Sequence, residues 1–302
     1  MVVDIPDDID FTNAGKAQFD FAWDIVMSFL TQFDEFATYV VADDETEQEY
    51  WEAAKQRILT ALAIVQQGVE LIIKGKIANV SPYLLIAGSP SDWPKKPQIS
   101  FSELRTIDAQ DLVKVFNTFS DSPLSDEFIA QYNELRKLRN RVMHTVDHRL
   151  KVTVIEVVTT LLEMHRHLFP DESWVTTRRD FLHESPGAHI FSSDDANGRV
   201  AWEFFIVFSI LKRAEVKKFF GIDKKQRLYT CPECYSECQK YTTIEPVYAV
   251  LSPNEPESEH LYCFVCDDLH PIERKDCISE ECKGNVISIE TGECCNCGES
   301  YC

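Results

Sequence analysis

The sequence predicts a mainly α-helical fold over residues 1–226, followed by a small β-rich domain over residues 227–302. Three observations support this division. Before residue 228, apolar residues recur mostly every three or four positions, the period of a helix that buries one face. Few stretches in that part show the apolar-polar alternation typical of strands. All 11 cysteines lie at or beyond Cys231, so the character of the chain changes there.

The first domain is expected to be a bundle of helices. A Pro-rich connector from Ser89 to Pro97 interrupts the bundle, because proline cannot continue a helix. The segment 204–211 is the most apolar of the chain, but it is too short to span a bilayer. We therefore expect a buried helix there and no membrane association. The expected helices cover residues 14–40, 47–77, 101–118, 125–145, 150–168 and 195–220.

The formal net charge of −20 is unevenly distributed. Residues 1–50 carry −12, residues 51–226 carry +2, and residues 227–302 carry −10. The helical body can therefore form a local basic cleft although the whole chain is acidic, because salt screens each charge beyond about 8 Å. The acidic N-terminus lacks the basic region and apolar run of a secretory leader, so a cytoplasmic location is expected.

The fourth expected helix carries a polar triplet, Arg139, Asn140 and His144. Because successive helical residues turn by about 100°, Asn140 and His144 share one face and Arg139 lies on its flank. A cation, an amide and a titratable imidazole together suit a phosphodiester. The structural alternative is that His144 lies at the surface near the helix end and that Arg139 pairs with Glu134 or Asp147.

The triplet in its helical setting resembles the HEPN superfamily, whose ribonuclease members use an Arg-x(4–6)-His motif, usually with Asn, Asp or His after the Arg. Residues 67–74, with Gly68 and Glu70, resemble the Gly-x-Glu helix that precedes the motif helix in many HEPN proteins. The resemblance covers roughly residues 13–170. We expect Glu70 and Lys74, one turn apart, to be a supporting pair beneath the motif helix.

The resemblance implies a function. Arg139, Asn140 and His144 would be catalytic residues of an endoribonuclease that cleaves RNA without metal, leaving a 2′,3′-cyclic phosphate and a 5′-hydroxyl. HEPN ribonucleases pair two motifs across a two-fold axis, so a single motif implies a homodimer. A toxin or defence role follows by family analogy alone.

The cysteine spacing predicts two structural Zn²⁺ sites, because four thiolates so arranged can close a tetrahedral site. The first has two Cys-x-x-Cys knuckles, and the second has a Cys-x(4)-Cys pair and one knuckle. Disulfides are the rival interpretation, but they need an oxidising compartment. The expected ligands are Cys231, Cys234, Cys263 and Cys266 in the first site, and Cys277, Cys282, Cys294 and Cys297 in the second.

Several ligand choices stay open at this point. Cys295 or Cys302 can replace a ligand of the second site. Cys238 is spare, and His260 and His270 are possible substitutes. A strand is expected near residues 286–289, between the two halves of the second site.

The acidic tail favours a protein partner over direct RNA binding by the zinc ribbons. The leading alternative for the whole chain is therefore a non-catalytic interaction protein, in which the bundle dimerises and the ribbons dock a partner. A third interpretation, a zinc-ribbon adaptor for nucleic acid, requires basic ribbon surfaces, which the charge distribution does not favour.

Overall fold

The computed structural model describes residues 1–39, 43–89, 91, 93–144, 151–190, 194–240 and 244–300. As predicted, the described part is mainly helical and ends in a small sheet with cysteine clusters. The helices are α1 (Asp8–Tyr39), α2 (Asp44–Val80), α3 (Ala109–Phe119), α4 (Asp126–His144), α5 (Val154–Leu168), α6 (Trp174–His183), α7 (Asp194–Ile210), α8 (Arg213–Phe220) and α9 (Pro232–Cys238). The strands are β1 (Val2–Val3), β2 (Ile99–Ser100), β3 (Tyr229–Thr230), β4 (Val247–Leu251), β5 (His260–Cys263), β6 (Asp268–Glu273) and β7 (Ile287–Ser288).

Contacts divide the chain into two compact units. Unit 1 comprises residues 1–29 and 36–168, and unit 2 comprises residues 30–35 and 169–302. The sequence placed the boundary at 226/227, where the cysteines begin. Helices α6 to α8 instead group with the cysteine-rich segment, because α7 packs against α9 and β4.

In unit 1, the long helix α2 packs against α3, α4 and α5. Its inward stripe includes Leu62, Val65 and Val69, all buried. This helix is long and apolar enough to cross a membrane by length and composition alone, yet 67% of its most apolar window is buried inside the protein. Such burial is typical of the core helix of a folded domain.

Helices α1 and α2 approach each other closely where two glycines meet. A Cβ on Gly15 would lie 2.8 Å from the Gly68 carbonyl oxygen, and a Cβ on Gly68 would lie 2.9 Å from the Gly15 carbonyl oxygen. Any larger residue would separate the two backbones. Gly68 is therefore explained by packing between these helices.

The helix predicted from residue 101 begins only at Ala109. Ser100 and Glu103 instead close a short 3₁₀ turn, because the Ser100 N–H donates to the Glu103 carboxylate. Thr106 then pairs with Ile86 in a β-bridge, which holds this stretch extended before α3 begins. These side-chain and long-range contacts override the helical pattern.

Unit 2 contains two further departures from the prediction. Helix α6 was not predicted; it begins where Ser173 Oγ accepts a hydrogen bond from the Val175 N–H at 3.2 Å. The helix predicted over 195–220 is two helices, α7 and α8. The chain is extended at Lys212, whose N–H donates to the Glu215 carboxylate at 2.7 Å and starts a new helix.

A buried ion pair joins α6 to α7. Arg178 and Glu203 are each 1% exposed at the side chain, and both Nε and Nη2 of Arg178 donate to the carboxylate at 2.9 Å. Arg199 donates to the same carboxylate from the surface. Because breaking a buried pair leaves an uncompensated charge, this contact fixes how the two helices pack.

The sheet of unit 2 has the order β3-β4-β5-β6-β7, with antiparallel neighbours throughout. Strand β7 confirms the strand predicted near residues 286–289. Phe264, in the turn after β5, stacks on Phe220 of α8 with ring centroids 4.6 Å apart and on Phe208 of α7 at 5.9 Å. Tyr248 of β4 completes this aromatic cluster at 5.3 Å from Phe264.

Candidate functional site

Helix α4 carries the predicted polar motif. Ser125 Oγ accepts a hydrogen bond from the Phe128 N–H at 3.2 Å and so caps the start of the helix. Phe128, Tyr132 and Leu135 are buried, as the spacing of the apolar stripe predicts. Their burial leaves Arg139 and Asn140, in the C-terminal half of the helix, on its more exposed side.

Arg139 and Asn140 contact each other. Arg139 Nη1 donates to Asn140 Oδ1 at 3.1 Å. Asn140 is exposed and Arg139 is partly exposed, so an anion can reach both side chains from solvent. Glu134, one of the alternative partners considered for Arg139, accepts a hydrogen bond from Lys137 at 2.7 Å.

His144 is the last residue of α4, one turn after Asn140. Its side chain lies outside the described part of the structure, and so do residues 145–150, which include Asp147. The structure therefore brings Arg139 and Asn140 together and places the His144 backbone on the same helix.

Beneath the motif, Tyr132 connects α4 to its neighbours. Its hydroxyl donates to the Ala109 carbonyl oxygen at 2.8 Å. Burial raises the pKa of Tyr132 well above its usual range, the charge of Glu70 raises it further, and Arg136 and Arg139 oppose the shift. Glu70 of α2 and Arg139 of α4 therefore both act on one buried phenol.

Glu70 and Lys74 have different partners. Glu70 accepts a short hydrogen bond from Gln66, which is fully buried on α2. Lys74 Nζ donates to Thr106 Oγ1 at 3.3 Å. The expected pairing of Glu70 with Lys74 is thus replaced by two contacts, although Glu70 does lie beside the motif helix as predicted.

The first predicted cysteine set forms a compact group. The ligand atoms of the four cysteines all lie within 4.8 Å of one another. Cys231 precedes α9 and Cys234 lies in its first turn, whereas Cys263 ends β5 and Cys266 lies in the following turn. Strands β3 and β5 both run antiparallel to β4, so their C-terminal ends lie at the same edge of the sheet and bring together pairs that are distant in sequence.

The geometry of this group fits a tetrahedral metal ion. The Sγ atoms of Cys231 and Cys266 are 3.7 Å apart, and those of Cys234 and Cys263 are 3.8 Å apart. Four sulfurs bound to one Zn²⁺ at about 2.3 Å would be separated by about 3.8 Å. Burial raises the pKa of Cys263, and the neighbouring cysteines raise it further, so four ionised thiols at this spacing need a cation between them.

His270 lies against the first group. Its Nε2 atom is 3.1 Å from Cys266 Sγ and 3.5 Å from Cys231 Sγ, and its side chain is buried. Its Nδ1 atom is 3.5 Å from a Glu290 carboxylate oxygen. His270, one of the two substitutes considered, is therefore adjacent to the group, while His260 is exposed on β5.

The second predicted set also converges. Cys277, Cys282, Cys294 and Cys297 place their ligand atoms within 4.8 Å of one another. The Gly284 N–H donates to Cys282 Sγ at 3.3 Å and lowers the pKa of that thiol to about 7. Backbone donors of this kind favour the thiolate form, which is the form that binds metal.

Gly284 is enclosed by the second group. A Cβ at this position would lie 2.8 Å from Asn296 Cβ and 3.1 Å from the Sγ atoms of Cys282 and Cys294. Only glycine fits here without moving the ligands. This close approach is a second observation, besides the spacing, that fits a metal site.

The remaining cysteines have other positions. Cys295 is buried, and its backbone pairs with Val286 and Thr230, so it does not join the second group. Cys238 Sγ lies 3.8 Å from the Gly198 carbonyl oxygen, and burial raises its pKa to about 12. Cys302 lies outside the described residues.

A cluster in unit 1 was not predicted. Glu127 of α4 lies beside Glu163 and His167 of α5, and their ligand atoms are within 4.8 Å of one another. The only signal in the sequence was the Glu-x-x-x-His spacing on α5, which places both side chains on one helix face. The contribution of Glu127 depends on packing between helices.

Comparisons with known proteins do not extend these observations. No protein-family model, curated protein or solved structure matches the chain.

Proposed function

We propose that this protein is a metal-independent endoribonuclease of the HEPN type, acting as a homodimer in a toxin or defence role. The observation that carries the proposal is the Arg139–Asn140 pair, which faces solvent on α4 one turn before His144. The contact of α4 with α2, which carries Glu70, supports it.

The residue types suit phosphodiester cleavage. Arg139 neutralises the negative charge that grows on the phosphate in the transition state. His144 takes the proton from the ribose 2′-hydroxyl or gives one to the leaving 5′-oxygen, because an imidazole titrates near neutral pH. Asn140, which already accepts a hydrogen bond from Arg139, orients the guanidinium towards the phosphate. The products are a 2′,3′-cyclic phosphate and a 5′-hydroxyl.

A second copy of the chain completes the site. One imidazole cannot readily be both base and acid in the same step. Two copies related by a two-fold axis bring two His144 side chains to one cleft. The exposed Met143, 58% accessible beside the motif, provides apolar surface for such a contact.

The two cysteine groups are proposed to bind one structural Zn²⁺ each. Four sulfurs fill a tetrahedral site and leave no position for water, so these ions stabilise the fold and take no part in cleavage. The acidic tail that they hold is proposed to bind a protein partner.

The test is cleavage of end-labelled RNA in EDTA by zinc-loaded wild type, His144→Ala and Arg139→Gln. We expect wild type to yield the cyclic phosphate and both variants to lose at least about 100-fold in rate, as removal of a general acid-base or charge-stabilising group does. Zinc content is measured after incubation to show that the tail keeps its metal.

Two control variants make the result specific. His189→Ala removes an exposed imidazole outside the motif, and Lys137→Gln removes an exposed cation from the same helix. Both should cleave like wild type. Equal or absent cleavage by wild type and His144→Ala, across several RNA classes, would overturn the proposal in favour of a non-catalytic interaction module.

A further inference from the structure

A further group of metal-ligating side chains lies in unit 1, whereas both cysteine groups belong to unit 2. Glu127 occupies the first turn of α4, and Glu163 and His167 occupy the last turns of α5. Since α4 runs for 12 residues from Glu127 to Arg139, a distance of about 18 Å separates this group from the motif. The group is therefore distinct from the proposed cleavage site.

The geometry of the group is defined by packing. His167 Nε2 lies 3.0 Å from Glu163 Oε1, and these side chains are only 13% and 10% exposed. The ring of Phe128 meets the imidazole edge to face with centroids 5.7 Å apart, which fixes the plane of His167. Buried carboxylates are costly unless they are paired or bind metal.

Gln131 supplies an independent observation. It lies one turn after Glu127 on α4, and its Nε2 atom is 3.5 Å from Glu163 Oε1. Its Oε1 atom is buried and has no hydrogen-bond partner among the described residues. An unpartnered buried amide oxygen on a side chain that contacts Glu163 is explained if it faces a cation.

Arg166 is a cation that contacts the group. Its Nη2 atom donates to Glu163 Oε1 at 3.1 Å, and its side chain is 41% exposed. It offsets part of the charge of Glu163 from the surface. An exposed arginine of this kind can move aside, since such pairs contribute little stability.

We propose that Glu127, Glu163 and His167, with the amide oxygen of Gln131, form a binding site for a divalent transition-metal ion that links α4 to α5. Two carboxylates, an amide oxygen and an imidazole are a mixed oxygen-nitrogen set, which suits Mn²⁺ as well as Zn²⁺. The cysteine groups, by contrast, select thiophilic ions. The proposal does not depend on RNA cleavage.

The experiment is a titration of the zinc-loaded full chain with Mn²⁺, followed by the electron paramagnetic resonance signal of the free ion. Mn²⁺ does not compete with Zn²⁺ for four thiolates, so uptake reports the new site. We expect one Mn²⁺ per chain in wild type and at least about 10-fold weaker binding in Glu127→Gln and His167→Gln. Arg166→Gln should bind more tightly, because it removes a competing cation.

The matched control is Glu134→Gln. Glu134 is an exposed glutamate of the same helix that pairs with Lys137, so this variant changes the charge equally without touching the group. It should bind Mn²⁺ like wild type. Glu127 is exposed, which makes Glu127→Gln safe for folding. If wild type takes up neither Mn²⁺ nor a third Zn²⁺, or if Glu127→Gln binds as wild type does, the proposal is wrong.

Discussion

Gly284 determines the shape of the second cysteine group more directly than any ligand spacing does. The backbone at this position lies against Cys282, Cys294 and Asn296, and its N–H donates to the Cys282 sulfur. Because Gly284 has no Cβ, its backbone N–H can come close enough to donate to the Cys282 sulfur. This arrangement parallels other sites at which only glycine permits close backbone approach.

We predict that Gly284→Ala prevents the second cysteine group from holding its proposed Zn²⁺, so that the variant carries one ion where the proposal gives wild type two. The added Cβ would lie 2.8 Å from Asn296 Cβ, so the loop must move and misplace Cys282. Metal analysis of purified protein gives the count. Gly187→Ala is the control, since a Cβ there meets only Ser185 Oγ at 3.7 Å. Two zinc ions in Gly284→Ala would refute this explanation.

At the scale of single residues, the sequence predicted which cysteines come together better than it predicted which residues lie beside them. Three Cys-x-x-Cys knuckles and one Cys-x(4)-Cys pair identified both groups of four, because each pair is a local structure. The place of His270 beside Cys266, and of Glu127 beside Glu163, could not be predicted. Those contacts join residues brought together only by the register of a sheet or the packing of two helices.

At the scale of elements, the close crossing of α1 and α2 positions the helix that carries Glu70. Gly15 and Gly68 face each other there, and Phe19 is fully buried against them. The glycine that suggested a family resemblance therefore has a physical role. It lets α2 approach α1 while the opposite side of α2 contacts α4.

We predict that Gly68→Ala destabilises α1 and α2 by about 1–3 kcal/mol, the usual effect of overpacking, because a Cβ would lie 2.7 Å from Phe19 Cδ1. This loss exceeds the gain of up to about 1 kcal/mol from replacing a helical glycine. Hydrogen exchange of the α2 amides measures the opening free energy. Gln67→Ala, at the neighbouring exposed position, should leave it nearly unchanged, and equal exchange in both variants would contradict the prediction.

Helices with a long apolar stripe were predictable, whereas their interruptions were not. The stripes of α2 and α4 follow from periodicity alone. The late start of α3 depends on the Ser100–Glu103 turn and on a bridge to Ile86, and the break after α7 depends on Glu215. Each interruption results from a side chain that bonds to the backbone, a competition that hydrophobic patterns do not report.

At the scale of the whole molecule, the proposed metal ions should stabilise the cysteine-rich segment and also the helices of unit 2 that pack against it. We predict that removal of the proposed zinc with a chelator loosens residues 169–300 and leaves helix α2 of unit 1 protected. The cysteine groups fix Phe264, which packs on Phe208 and Phe220. Loss of metal therefore also weakens the contacts of Phe264 that stabilise α7 and α8.

Hydrogen exchange with mass spectrometry, before and after chelation, gives the answer by region. Peptides of α7 and α8 should exchange faster in the metal-free chain, and peptides of α2 should not. Refolding with added Zn²⁺ is the control for irreversible damage. If only residues 227–300 exchange faster, the segment that unfolds without metal begins where the cysteines begin, at residue 227. It would then not begin at residue 169, where the contacts divide the chain.

The aromatic cluster also constrains how this chain can change over evolutionary time. Phe264 stacks on residues of two helices that precede the tail, and Tyr248 lies against the same ring. A tail exchanged for another zinc ribbon by recombination at residue 226 would bring a foreign side chain to this position. We therefore expect residues 169–300 to be inherited together, with changes at Phe264 matched by changes at Phe208 or Phe220.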